Sequence, residues 1–454
     1  DVLLMTDTAP FERRAVLSLA SLYAFRMLGL FMVLPVFMLY GEDYEGSTPL
    51  LLGLALGIYG FSQAALQIPF GMLSDRIGRK PVIAFGLVLF AVGSVVAATA
   101  DSVTGLIVGR FLQGSGAIAS AIMALVTDLT ADENRTKAMA VIGMSIGLSF
   151  SLALVLGPLV TGVAGLSGIF WLTALLAIFG LLILMRVVPT PRVMPKTHRE
   201  AGTVPAILRE TLRNPELRRL NFGIFVLHLV LMASFIALPS LLENELGIHR
   251  EQHWRVYLPL LVLAFVAMVP FIIIAESKRK MKPVFVGAIC LLGFTELALA
   301  YGEHSSTFAF VALFLFFMAF NLLEACLPSL VSKIAPAGSK GTASGIYSSC
   351  QFFGAFCGGL LGGWLLEGGD LSRVFIACAV LIAAWALVAS VMHTPKHVTS
   401  VLLSLSPEQI ISLGDGLRAL PGVYELVFIE EDEAAYLKVD KQLFDMKNVR
   451  ALGL

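Results

Sequence analysis

Charge is what this sequence has least of. Asp, Glu, Lys and Arg make up only 14% of its 454 residues, against about 25% in soluble domains. With 57% hydrophobic residues and a mean hydropathy of +0.85, an ordinary water-soluble globule is excluded, and the bilayer is the expected solvent. Cysteine is sparse too. Cys290, Cys326, Cys350, Cys357 and Cys378 all sit inside apolar runs without CxxC spacing, which argues against a disulfide framework or a zinc site. They read as small buried hydrophobes. No phosphate-binding loop, metal constellation or nucleophile paired with a base is visible, so neither an enzyme nor ATP-driven transport is expected. A signal-peptide pattern is missing as well: Arg13 and Arg14 precede an apolar run over residues 15–40, longer than a secretory core of about 7–15 residues. That run is the expected first span.

What is present is a succession of apolar runs about 20 residues long, the length that crosses a bilayer. They fall near 15–40, 50–73, 81–100, 104–128, 139–163, 168–187, 220–243, 255–275, 283–301, 307–331, 342–366 and 372–392, giving twelve spans. Lys and Arg concentrate on one side of them. Arg76, Arg79, Lys80, Arg135, Lys137, Lys278, Arg279, Lys280, Lys282, Lys333 and Lys340 all lie in one set of alternate connections, together with a basic central loop. The other set holds Arg250, Arg255 and Arg373. The positive-inside rule then places both termini in the cytoplasm.

The expected organisation is a six-helix bundle over 1–187, a Pro- and charge-rich cytoplasmic linker over 188–219, a second six-helix bundle over 220–392, and a soluble domain over 398–454. The bundles look like repeats. GRKPVIAFG at 78–86 is echoed by KMKPVFVG at 280–287, and TKAMAVIG at 136–143 by SKGTASGIY at 339–347. Both echoes recur at nearly the same shift, as in secondary transporters built from parallel halves. In the tail, strand-like and helical segments follow one another as β-α-β-β-α-β, with a turn at Glu431 to Glu433. This outline predicts a small α+β ferredoxin-like domain. Without Cys or clustered His it is not expected to carry metal. It has about four net negative charges, so docking on the basic cytoplasmic surface near the central loop is expected, with a freely solvated appendage as the alternative.

Several short motifs point the same way. GMLSDRIGRK at 71–80, with Gly71, Asp75, Arg76, Gly78, Arg79 and Lys80, resembles the signature between the second and third helices of the major facilitator superfamily. RFLQGSGAIA at 110–119 resembles that superfamily's fourth-helix motif, and LGLFMVLPVFM at 28–38 its antiporter first-helix motif, with Met38 where proline is common. Gly143, Gly147, Gly157, Pro158 and Gly162 resemble the fifth-helix antiporter pattern, with Thr161 replacing one glycine. The resemblance implies an all-α membrane protein of twelve helices in two bundles, alternating access, and export of a small amphipathic or drug-like compound against protons. It also implies that Asp75 faces the amino end of the eleventh helix near Gly341 as a latch on the outward-open state, and that Arg79 pairs with Asp128.

Ionisable residues inside spans cost about 2.5–3.5 kcal/mol each on insertion scales, so each needs a role. The resemblance makes helices 1, 4, 7 and 10 line the cavity. Glu324 on the tenth is then the preferred proton carrier, a structural pair with Asn321 or a neighbouring helix being the alternative. Glu296 on the ninth is expected to snorkel or to pack between helices. Arg110 is expected to couple binding to the packing around Gln113, Gly114 and Gly116. Arg26 is either the cavity's positive element, meeting Glu324 or an anionic substrate, or is bonded to carbonyls. His228 either titrates or serves as a hydrogen-bonded structural histidine. Gln63, Gln67, Gln113, Asn321, Tyr347 and Gln351 supply polar points in the cavity.

The expected partners are a small-molecule substrate, protons and the lipid of a bacterial inner membrane. No nucleic acid, and no cofactor beyond the proton gradient, is implied, and a monomer is expected. A symporter, or a transporter-shaped receptor whose tail reports occupancy, remain open alternatives.

Overall fold

Side chains cap the starts of several helices in this chain. A computed structural model describes residues 10–130, 132–190, 205–301, 305–336, 339–393, 399–405, 407–429, 434–440, 443–446 and 449. In order come α1 (Pro10–Phe31), α2 (Phe37–Gly41), α3 (Pro49–Ile77), α4 (Arg79–Ala98), α5 (Val103–Ser115), α6 (Ala119–Asp128) and α7 (Asp132–Arg186). These are followed by α8 (Pro205–Arg213), α9 (Pro215–Ser240), α10 (Trp254–Ser277), α11 (Met281–Tyr301), α12 (Ser306–Ile334), α13 (Lys340–Leu366) and α14 (Leu371–Ser390). The Thr48 hydroxyl caps α3 by accepting from the Leu51 N–H at 3.2 Å, and Pro49 needs no N–H partner at the first position. Asn214 and Pro215 start α9 in the same way.

Eleven helical stretches among the described residues are long and apolar enough to cross a membrane. One of them, residues 137–186 within α7, has 50 residues. At 1.5 Å per residue it is far longer than a hydrocarbon core of about 30 Å. Gly165, at φ 64° and ψ −173°, breaks it into two crossings, so the described residues hold the twelve spans expected. The break needs glycine, because that backbone conformation is one other residues rarely adopt.

Differences from the apolar runs are local. The first run is two helices, because residues 32–36 form turns around Pro35, and the fourth is interrupted at Gly116, Ala117 and Ile118. The linker holds α8 and the start of α9, while residues 191–204 lie outside the described ones. Helices α1 to α7 form one bundle and α9 to α14 the other.

The bundles meet most closely along α3 and α13. Gly53, Gly57 and Gly60 on α3 face Gly359, Gly363 and the backbone of Phe352 and Phe356 on α13. A Cβ on Gly359 would lie 2.9 Å from Gly57 Cα and 3.0 Å from its nitrogen. Only small residues let two helix backbones come this close. These contacts occupy the half of α3 that starts at Pro49, so the Pro49 side of the molecule is the closed side.

The tail forms β1 (Thr399–Ser404), α15 (Pro407–Ala419), β2 (Val423–Ile429) and β3 (Ala434–Val439). The sheet order is β1-β3-β2 and both pairings are antiparallel, with Val401 opposite Leu437. Leu405, Leu417, Ala435, Leu437, Val439 and Val449 fill its core. This is the ferredoxin-like order as far as it is described. The turn at Glu431 to Glu433, and most of the expected second helix and fourth strand, lie outside the described residues. Asp440 accepts from Arg279 at 3.2 Å, and the Lys438 ammonium donates to the carbonyls of Lys333 and Ile334 at 3.3 and 3.4 Å. These contacts sit at the ends of α10, α11 and α12.

The α3–α13 seam yields a direct expectation. With the native cysteines replaced, a cysteine at Ala64 in Gly359→Val should become reactive to an impermeant maleimide added from the Pro49 side. Unchanged protection would show that the glycine seam is not the barrier.

Candidate functional site

Three of the expected cavity residues come together in the second bundle. Glu324 on α12, His228 on α9 and Gln351 on α13 are joined through the Gln351 amide, whose nitrogen donates to His228 Nε2 at 2.8 Å and to Glu324 Oε1 at 3.3 Å. Glu324 Oε2 lies 3.9 Å from His228 Nε2. Its side chain is 35% exposed, so it opens onto space where the other buried acid does not. Glu324 Oε2, the Tyr347 hydroxyl and the Asn321 side-chain nitrogen have no hydrogen-bond partner among the described residues. Buried polar atoms are normally paired, so this set has hydrogen-bonding capacity to offer a ligand. An aromatic path runs from here to the first bundle: His228 beside Phe320 at 6.1 Å, Phe320 beside Phe150 of α7 at 6.1 Å, and Phe150 edge-on to Phe31 of α1 at 5.1 Å.

The first bundle holds the two buried arginines. Arg26 on α1 donates to Gln63 Oε1 at 2.5 Å, Gln63 donates to Gln67 Oε1 at 2.8 Å, and the guanidinium sits 5.7 Å from the Phe90 ring centre. Among the described residues Arg26 thus bonds Gln63 and not Glu324, and its Nε and NH1 have no hydrogen-bond partner. Arg110 on α5 donates to Gln113 Oε1 at 2.9 Å and more weakly to the Leu56 carbonyl at 3.4 Å, and lies over Tyr59 at 5.0 Å. Gln113 in turn donates to Ser94 at 2.8 Å. Arg110 and Gln113 are fully enclosed. They tie α3, α4 and α5 together, which fits the expected coupling of Arg110 to helix packing and takes Gln113 away from the cavity surface. Among the described residues neither guanidinium has a carboxylate partner. Polar amides and ring faces stabilise both cations instead.

The 71–80 stretch forms a compact charged knot. Gly78, at φ 100°, turns the chain between α3 and α4, where a Cβ would be strained. Gly71 brings α6 close: a Cβ there would lie 3.1 Å from the Ser120 hydroxyl. Arg79 donates to Asp128 Oδ2 at 3.1 Å, to the Ser74 hydroxyl at 2.8 Å, and to Asp75. Lys80 donates to the Val188 carbonyl at 2.7 Å and to Thr190 at 3.1 Å, fixing the end of α7, while Arg76 is exposed. The Arg79–Asp128 pair is as expected. The Asp75 carboxylate is here taken up by Arg79 within its own bundle, which is consistent with a molecule closed on the Pro49 side rather than latched on the other.

The fifth-helix positions divide. Gly157 lies against the Met32 carbonyl and Pro35 of the first-span turn, next to Pro158, whereas a Cβ on Gly162 would lie 3.5 Å from the Glu251 side chain of the second bundle. A Cβ on Gly147 would lie 3.8 Å from the Phe265 ring of α10, and one on Gly143 would meet nothing within 4 Å. Two pairings were not legible in the sequence. Ser234 of α9 donates to Glu296 of α11 at 2.8 Å, deep in the second bundle. Arg250 donates to the Leu39 carbonyl of α2 at 2.8 Å. Residues 62 and 211 positions apart leave no local pattern, although an acid inside an apolar run does signal a hidden donor.

Known proteins agree with this architecture. The Major Facilitator Superfamily model matches residues 19–359 and 282–421. The inner membrane transport protein YajR of Escherichia coli (strain K12) is 48% identical over 439 residues, covering 96% of each chain. The multidrug resistance protein MdtL of Shewanella oneidensis is 23% identical over 387 residues, covering 80% of this chain and 91% of its own. Among solved structures, a bacterial homologue of the lysosomal transporter Spinster, inward-facing and occupied, superposes with a TM-score of 0.72 at 16% identity, covering 85% and 98% of the two chains. Twelve membrane spans in two bundles, with this charged turn between the second and third, define a secondary transporter fold. The chain belongs to the Major Facilitator Superfamily and is a multi-pass membrane protein.

The knot can be tested by stability. Arg79 and Asp128 are both nearly buried, so Asp128→Asn should destabilise the protein by about 1–2 kcal/mol, the scale of one charge-assisted hydrogen bond. Thermal unfolding followed by tryptophan fluorescence reads the change. An unmoved midpoint would show that Asp75 alone satisfies Arg79.

Proposed function

We propose that the protein is a proton-coupled exporter of small amphipathic compounds, working by alternating access in a bacterial inner membrane, with Glu324 as the proton carrier. The observation that carries this reading is the Glu324–Gln351–His228 cluster. In it a partly exposed side chain carries one enclosed carboxylate oxygen without a partner among the described residues, where α9, α12 and α13 converge. A carboxyl there exchanges a proton for a polar group of the substrate, and the two compete for the same hydrogen bonds. The Phe320, Phe150 and Phe31 rings supply apolar contact for the rest of the substrate. Its partners are then a small molecule, protons and lipid, and the unit is a monomer.

The Lys- and Arg-rich connections are assigned to the cytoplasm, which puts the Pro49 side in the periplasm and both termini inside. Proton entry is driven in part by the membrane potential, worth about 2.3 kcal/mol per charge per 100 mV. Closure of the Pro49 side makes this conformation the inward-open one, and seating of Asp75 at the start of α13 would stabilise the opposite one. A regulatory role for the tail is a second reading. Lys438 meets the last carbonyls of α12, the helix that carries Glu324, so the tail touches the moving part.

In proteoliposomes, adding lipophilic compounds to the wild-type protein should release protons from it. Glu324→Gln, which preserves the shape of the cluster, should still bind the same compounds while proton release drops to that of protein-free vesicles. Full proton release from the variant would remove Glu324 from the mechanism.

A further inference from the structure

On the closed side, one arginine of the second bundle reaches across to the first. Arg250 opens the short turn Arg250–Gln252 between α9 and α10. Its Nε donates to Glu243 Oε1 at 2.9 Å, and its NH2 lies 2.9 Å from the same oxygen. The remaining nitrogen, NH1, donates to the Leu39 carbonyl at 2.8 Å, and the guanidinium stands 5.1 Å from the Tyr40 ring centre. Leu39 and Tyr40 belong to α2 in the first bundle, whereas Glu243 and Arg250 belong to the second. The neighbouring Glu251 packs against Gly162 of α7. The turn is therefore seated on the first bundle at two points.

We propose that Arg250 is the latch of the Pro49-side gate. Glu243 aims the guanidinium from within its own bundle, and the Leu39 carbonyl and Tyr40 ring of the other bundle receive it. Each partner has a reason to accept. The last carbonyls of a helix have no acceptor role within it and carry partial negative charge, so a cation is favoured there. The Tyr40 ring face adds a second attraction. Separating the bundles on this side breaks both contacts but leaves the Glu243 pair intact, so the arginine is held ready while the gate is open.

The arrangement is the charge-reversed counterpart of the one expected at Asp75. There an acid of the first bundle would seat at the start of a helix of the second, and here a base of the second seats on helix carbonyls of the first. In this structure the Arg250 contacts are made while Asp75 is held by Arg79. The inference rests on the alternating-access reading, and it explains why a cation stands in a connection otherwise poor in Lys and Arg.

The test needs no substrate. Spin labels at Asp43→Cys and Glu367→Cys, both exposed on the Pro49 side and on opposite bundles, report the gate by pulsed dipolar spectroscopy on full-length protein in lipid nanodiscs, with the native cysteines replaced. Arg250→Ala should raise the ratio of open to closed gate by roughly tenfold, as expected for losing a helix-end and a cation–π contact together. Tyr40→Leu, which leaves the guanidinium's hydrogen bonds in place, should raise it by a smaller factor, and Arg250→Lys should fall between wild type and Arg250→Ala. Asp75→Asn should shift the ratio the other way. An unchanged distribution in Arg250→Ala and Tyr40→Leu, with Asp75→Asn still shifting it, would overturn the latch alone. No response to any of the variants would overturn alternating access about this gate as well.

Discussion

An ionised side chain inside a bilayer must find its own solvation, and that constraint organises both halves of this protein. The first bundle answers it with neutral polar groups. Arg26 and Arg110 are held by Gln63, Gln67, Gln113, a backbone carbonyl and the faces of Phe90 and Tyr59, with no acid among the described partners. The accommodation is incomplete, because Arg26 Nε and NH1 and Arg110 Nε are buried without a hydrogen-bond partner among the described residues. The second bundle treats its acids differently. Glu296 is enclosed and bonded to Ser234, whereas Glu324 is left partly open, sharing one amide with His228. Each acid has one enclosed oxygen without a hydrogen-bond partner among the described residues, and the Glu324 side chain is the more exposed of the two.

Movement follows from where the bundles touch. The glycine seam of α3 and α13 sets how closely they approach, because backbone meets backbone with no side chain to yield. Polar contacts at the two sides then bias which side is shut. At the motif side, Arg79 holds Asp75 and Asp128 within one bundle, while on the Pro49 side Arg250 spans two. Each is worth only a few kcal/mol at most, which suits a protein whose two states must lie close in energy.

Much of this was legible in the sequence, for physical reasons. Bilayer thickness makes span length a strict signal, so twelve runs of apolar residues gave twelve crossings. Gly78 could be anticipated because the charged turn needs a left-handed residue, and the Arg79–Asp128 pair because the motif resembles that of the superfamily. The breaks at Pro35 and Gly116 were hidden inside apolar runs, since hydropathy is blind to backbone geometry. Arg26 was expected to meet Glu324 or an anionic substrate, or to bond carbonyls; among the described residues it bonds Gln63, one of the polar residues assigned to the cavity, with Nε and NH1 left without a partner. Cross-bundle pairs such as Arg250 with Leu39 were out of reach, because a main-chain carbonyl has no residue-type signature. The tail's β-α-β-β order was readable from alternation, but its seat beside Arg279 and Lys333 depends on the placement of loops.

The central claim is that protonation of Glu324 decides which side of the molecule is open. The separation of the two bundles on the Pro49 side, followed as pH is varied, measures this directly. The account predicts that the wild-type distribution shifts with pH and that Glu324→Gln holds a single distribution across the same range. A variant that keeps the full pH response would contradict it.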